Sequence, residues 1–138
     1  MITNSNIQAA WISRLKANAP VTALVSAVEI REDQWQGTDF VYPNIRVRLG
    51  DLTPQTTNPD CKIYLSTVSI LCNSEIKSSK QADDIAGVVF NEFIGKSFSG
   101  STVKIGQVIL ESLSPAVVPK GANTWQATVN LKCAVSNA

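Results

Sequence analysis

The sequence contains no histidine. That absence excludes Ser-His-Asp and Cys-His nucleophilic sites, and histidine-ligated zinc or iron, in one step. Cysteine is scarce as well: Cys61, Cys72 and Cys133 are the only three, widely spaced and without the C-x-x-C pairing of a zinc or redox site. An odd count inside apolar, strand-like segments favours reduced, buried thiols of a cytosolic protein over a disulfide framework. No glycine-rich phosphate loop occurs, since Gly95, Gly100 and Gly106 are too far apart and precede no helix. No run approaches the roughly 20 apolar residues of a membrane-spanning helix, and the first residues do not read as a signal peptide. Neither charge sign dominates. Twelve basic residues against eleven acidic ones leave +1, which offers no global reason to expect nucleic acid or an anionic membrane as partner.

What is present is a core. Hydrophobic residues make up 44% of 138, enough for one folded domain of ordinary size spanning 1–138. Ile7, Ala10, Trp11 and Leu15 fall at helical spacing, with Thr3–Ser5 offering caps and Ala19-Pro20 a stop. A further short helical turn is expected at Val21–Val25, then an extended Val28–Ile30. Arg31–Tyr42 reads as a charged loop or irregular edge around Trp35. Ile45, Val47 and Leu49 alternate with Asn44, Arg46 and Arg48, predicting a strand with one buried and one basic face. Asp51–Asp60 is a loop. Cys61–Cys72 is β-rich with a change of parity near Ser66-Thr67, read as a bulge or a strand buried on both faces. Ser78 and Gln81 form a capping-box pattern for a second helix, whose stripe is Ala82, Ile85, Ala86, Val89 and Phe93 and whose stop is Gly95. Val103, Ile105, Val108 and Leu110 suggest a strand that slips at Gly106, and Ser114–Gly121 a turn. In the last segment Trp125, Ala127, Val129, Leu131, Cys133 and Val135 point one way, against Thr124 to Lys132 in the other parity. The expected fold class is therefore α+β: a mostly antiparallel sheet of about four strands with two main helices on one face.

Few residues suggest chemistry. Ser74–Lys77 matches S-x-x-K without its companion motifs and reads as the polar lead-in to a helix. Asp83 and Asp84 suit the first turns of a helix; Glu32-Asp33 reads as a solvated loop pair. Arg46 and Arg48, with Lys132 on another strand, either line a basic surface for a partner or are simply solvated. Trp35 is either a satellite-core residue or an interface anchor. Candidate interface residues are thus Arg31, Glu32, Asp33, Trp35, Asp39, Arg46, Arg48 and Lys132. No catalytic, cofactor-binding or metal-ligating residue stands out, and an enzymatic or small-ligand domain is the rival reading.

The order of segments, from IQAAWISRLKANAPVTALV through VYPNIRVRLG, CKIYLSTVSILCNS and KSSKQADDIAGVVFNEFIG to TWQATVNLKCAVSN, resembles the tail-completion, or tail-terminator, proteins of tailed bacteriophages and their relatives in phage-like particles. That resemblance rests on element order and length. It implies a structural, non-enzymatic virion protein, assembled in the bacterial host cytoplasm, whose copies form a ring, expected to be a hexamer, at the head-proximal end of the tail tube. The implied partners are the protein itself, the tail-tube protein and the neck or head-tail connector proteins. DNA would pass through the lumen without specific binding, and neither membrane nor cofactor is involved. A connector or a tube subunit is the alternative within the same class.

Overall fold

The computed structural model describes residues 2–33, 41–54, 62–75, 77, 79–119 and 124–138. Helix α1 (Asn4–Ala17) starts where Thr3 Oγ1 accepts the Asn6 N–H at 3.0 Å, satisfying one of the orphan donors of the first turn. Its buried stripe is Ile7, Ala10, Trp11 and Leu15. Asn18 both ends α1 and caps α2 (Ala19–Thr22), its Oδ1 accepting from Val21 N–H at 3.0 Å. Pro20 falls in the first turn of α2, where its missing N–H costs nothing. A single 3₁₀ turn, Ala27–Glu29, then leads into strand β1 (Ile30–Glu32).

Strands β2 (Asn44–Pro54), β3 (Tyr64–Glu75) and β7 (Thr124–Asn137) form the centre of the sheet. Between β3 and β7 lie α3 (Ser79–Phe93) and the shorter β4 (Phe98–Ser99), β5 (Val103–Ile105) and β6 (Ile109–Val117). The sheet order is β1-β2-β3-β7-β5-β4, with β6 also pairing β7. The expectation of a mostly antiparallel sheet of about four strands holds in its pairing, antiparallel everywhere but at β1–β2, and is corrected in its size. Among the described residues there are seven strands, and β1 runs parallel to β2. Arg31-Glu32, at the start of the segment read as a loop or irregular edge, lie in this edge strand, whose three residues are too few to show periodicity.

One face of the sheet is dry. Ile45, Val47, Val68, Ile70, Cys72, Ala127, Val129, Leu131, Cys133 and Val135 are all buried there, under α1, which lies against β1, β2 and β5, and α3, which lies against β3, β6 and β7. Trp125, expected on the same face, is only half-buried at the strand's start. Trp11 joins the layers: its ring is 5.7 Å from Phe93 and 4.9 Å, edge-on, from Phe98. The core stripe of α3 is the expected one, and Gly95, at φ 75, closes the helix while its N–H donates to Val108 O at 2.8 Å. Ser78, the expected cap, lies outside the described residues.

Of the two readings of the parity change near Ser66, the bulge is absent from β3, whereas burial on both faces holds at Ile70, Leu71, Cys72, Asn73 and Ser74, all buried. Strand β3 pairs β7 in unbroken register from Tyr64 to Glu75, so Ser66 shares the core face with Val68, Ile70 and Cys72 and is 1% exposed. The bulge sits instead in the neighbour β2, between Leu49 and Leu52. There Gly50 lies so close to Thr67 that a Cβ would stand 2.0 Å from its Oγ1. The slip near Gly106 is present as the break between β5 and β6, where Gly106 N–H donates to Ala134 O at 2.7 Å.

Candidate assembly surface

The face of the sheet away from the helices is polar and cross-braced. Gln126 Nε2 donates to Asn73 Oδ1 at 3.0 Å, Asn73 Nδ2 to Asn44 Oδ1 at 2.9 Å, and Asn44 Nδ2 to Val41 O at 3.1 Å. This directed amide chain crosses three adjacent strands. A second row runs from Ser69 through Asn130 to Ser112, at 2.7 and 2.8 Å. Such rows satisfy buried amides while fixing the register of the strands beneath them.

At the β1–β2 end, the amide chain borders a depression of about 230 Å³ lined by Asp33, Tyr42, Asn44, Arg46, Asn73 and Gln126, among others. Here the arginines separate. Arg46 is not part of an open basic face: it is 4% exposed and donates through Nη1 to Glu29 O at 2.8 Å and Ile45 O at 3.2 Å. The cause is β1, whose parallel pairing sets Arg31 beside Arg46 and brings the preceding Glu29 against it. Burial lowers the Arg46 pKa below its usual value, and the nearby Glu29 carboxylate opposes that shift. Glu29, also buried, is a residue that sequence reasoning did not single out.

Arg48, one parity step on, remains in solvent and pairs with Asp33 at 2.9 Å, the side chains 55% and 26% exposed. An exposed pair of this kind contributes about 0–1 kcal/mol. Arg31 and Glu32 are half-buried in β1. Lys132 lies elsewhere, on β7 between Thr67 of β3 and Ile109 of β6. The structure therefore gathers Arg31, Glu32, Asp33, Arg46 and Arg48 at one edge and leaves Lys132 apart. Trp35, Asp39 and Cys61 lie outside the described residues, as do 55–60 of the expected Asp51–Asp60 loop, whose first four residues instead continue β2 to Pro54.

The opposite edge carries what the sequence reading missed. Ser114–Val117, expected to be a turn, continues β6, and Ile109, Leu113 and Val117 are 52%, 45% and 55% exposed. The signal was the three-residue spacing of Leu110, Leu113 and Ala116, which no regular strand places on one face. Bulges do so: the register against β7 shifts between Leu110 and Ser112 and again between Ser114 and Val117.

With this geometry in hand, the solved structures give a clear match. A chain of the structure described as "Virion of native gene transfer agent (GTA) particle" superposes with TM-score 0.73 and 16% identity, over 97% of this chain and 96% of that one. The two share a fold. A second solved chain matches with TM-score 0.58 and 15% identity, over 100% of this chain and 97% of its own. No family model matches the sequence, and no curated protein does. Among the described residues no helix is long and apolar enough to cross a membrane, and no group of three metal-ligating side chains converges.

Proposed function

We propose that this chain is a structural virion protein of a phage-like particle, a tail terminator whose copies close into a ring on the tail tube and present a surface to the neck proteins, without a catalytic role. The observation that carries this reading is the shared fold with a gene-transfer-agent virion chain over nearly the whole length of both. The edges of the sheet support it. A protein that works by assembly needs contact surface outside its own core, and β6 displays apolar side chains while the β1–β2 edge concentrates charge. A ring further requires head-to-tail contacts between two different patches, and these two edges are different. The element order noted in the sequence, which resembles that of tail-terminator proteins, supports the terminator reading within that class.

The test is tube termination. Purified protein added to polymerising tail-tube subunits is expected to shorten the tubes and to decorate one end only in electron micrographs. Incorporation along the whole tube would identify a tube subunit instead, and absence from tubes altogether would refute the reading.

A further inference from the structure

We infer that the depression at the β1–β2 end of the sheet is a docking site for an uncharged amide of another protein chain, either a peptide group or an Asn or Gln side chain. The inference goes beyond the terminator reading and does not depend on it. Size sets the first limit. At about 230 Å³ the depression is smaller than the roughly 300–1,000 Å³ of pockets that enclose a whole small molecule. It suits one group projecting from a partner. Chemistry sets the second limit. Pro119 apart, every side chain in the lining ends in a polar group, so an apolar anchor would find little to pack against. The two charges in the lining are each answered within the protein, Asp33 by Arg48 at 2.9 Å and Arg46 by the nearby Glu29 carboxylate. An ion of either sign would give up its hydration without meeting an uncompensated charge.

What the lining offers is amide chemistry with a direction. Asn44 and Asn73 are 1% and 8% exposed, and each uses its amide as both donor and acceptor in the chain that runs from Gln126 to Val41 O. A satisfied buried network of this kind holds the floor rigid before any ligand arrives. Gln126 enters the chain as a donor, which leaves its Oε1 as the acceptor at the open end. Thr124 stands two residues earlier on the same face of β7, also in the lining, and its hydroxyl can donate. An acceptor and a donor on one strand face match the N–H and C=O of an amide. The occupant donates to Gln126 and accepts from Thr124, extending the chain by one member. A carboxylate has no proton to give Gln126, and an ammonium group has no acceptor for Thr124.

Small probes of matched shape test it: acetamide and N-methylacetamide as the amides, acetate and methylammonium as their charged counterparts. Saturation-transfer NMR reads their binding to the purified protein in any oligomeric state, so the result is separate from tube termination. At least one amide is expected to bind saturably and at least fivefold more tightly than either ion. The tighter amide identifies the source, a side chain for acetamide and a peptide group for N-methylacetamide. Thr124→Val and Gln126→Met, each with the circular dichroism of the wild type, should weaken that amide at least fivefold. Thr124→Val decides alone should Gln126→Met disturb the fold. No saturable binding of an amide, tighter binding of acetate or methylammonium, or unchanged binding by the folded variants would each overturn the inference. Failure to cap tubes, with these binding results intact, would refute the terminator reading and leave this site standing.

Discussion

Phe93→Ala probes the packing on which every surface of this protein depends. Phe93 is 2% exposed and belongs to an aromatic trio, with ring centroids 5.7 Å from Trp11 and 6.1 Å from Phe98. Truncation removes apolar atoms from a dry site and leaves a cavity beneath α3, a change that costs about 3–5 kcal/mol. The two lost ring contacts put the expectation in the upper half of that range, since tilted and edge-on pairs contribute about 0.5–1.5 kcal/mol beyond area burial. Against a total stability of about 5–15 kcal/mol, the variant should remain folded at room temperature with its margin much reduced. Urea unfolding followed by tryptophan fluorescence, with Trp11 as the reporter, measures this directly. A midpoint shift equivalent to about 4 kcal/mol at unchanged m is expected. A loss below about 1 kcal/mol would mean that α3 does not seat Phe93 against Trp11, and the arrangement of helices over the sheet would be wrong.

Two glycines should respond in opposite directions. Gly87→Ala in α3 meets no atom within 4 Å and should stabilise by about 0.5–1 kcal/mol, whereas a Cβ at Gly100 would lie 2.7 Å from Ala10 Cβ and should destabilise by about 1–3 kcal/mol; denaturant midpoints decide both. Ser66→Ala removes a buried hydroxyl that has no hydrogen-bond partner among the described residues and should be neutral or stabilising in the same assay. The native thiols Cys72 and Cys133 should resist a thiol reagent at pH 8 and react on unfolding. Burial pushes Cys133 from 9.0 up to about 11, with Trp11 partly offsetting the shift. The unfolded thiol therefore ionises first, and its contribution to stability, full below pH 9, should be lost as pH rises toward 11, as urea midpoints across that window would show.

The elements legible in the sequence are those with a strict period and one wet face. Helices α1 and α3 and strand β7 show their stripes because solvent on one side forces polar residues into alternate or helical phase. Strand β3 was half legible: Ser66 occupies a core position while Leu65 and Leu71 sit on the other face, so hydropathy allowed either a bulge, which the backbone does not make, or burial on both faces, which Leu71 and Asn73 show. Strand β1 has three residues and owes its existence to β2, a tertiary cause with no local signature. The candidate surface was half legible. Arg48 is exposed as its parity implied, but Arg46 shares that parity and is buried, because whether the outer face is wet there depends on β1 and Glu29. The apolar edge at β6 was hidden by Pro115, which reads as a turn residue and acts as an edge strand's blunting residue.

The assembly state of the wild-type protein bears most directly on the whole account. Native mass spectrometry over a concentration series is expected to show monomer giving way to one discrete closed oligomer, a hexamer, with no larger species accumulating as concentration rises. A monomer at every concentration, or an open ladder of ever larger oligomers, would contradict the reading of this chain as a ring-forming terminator.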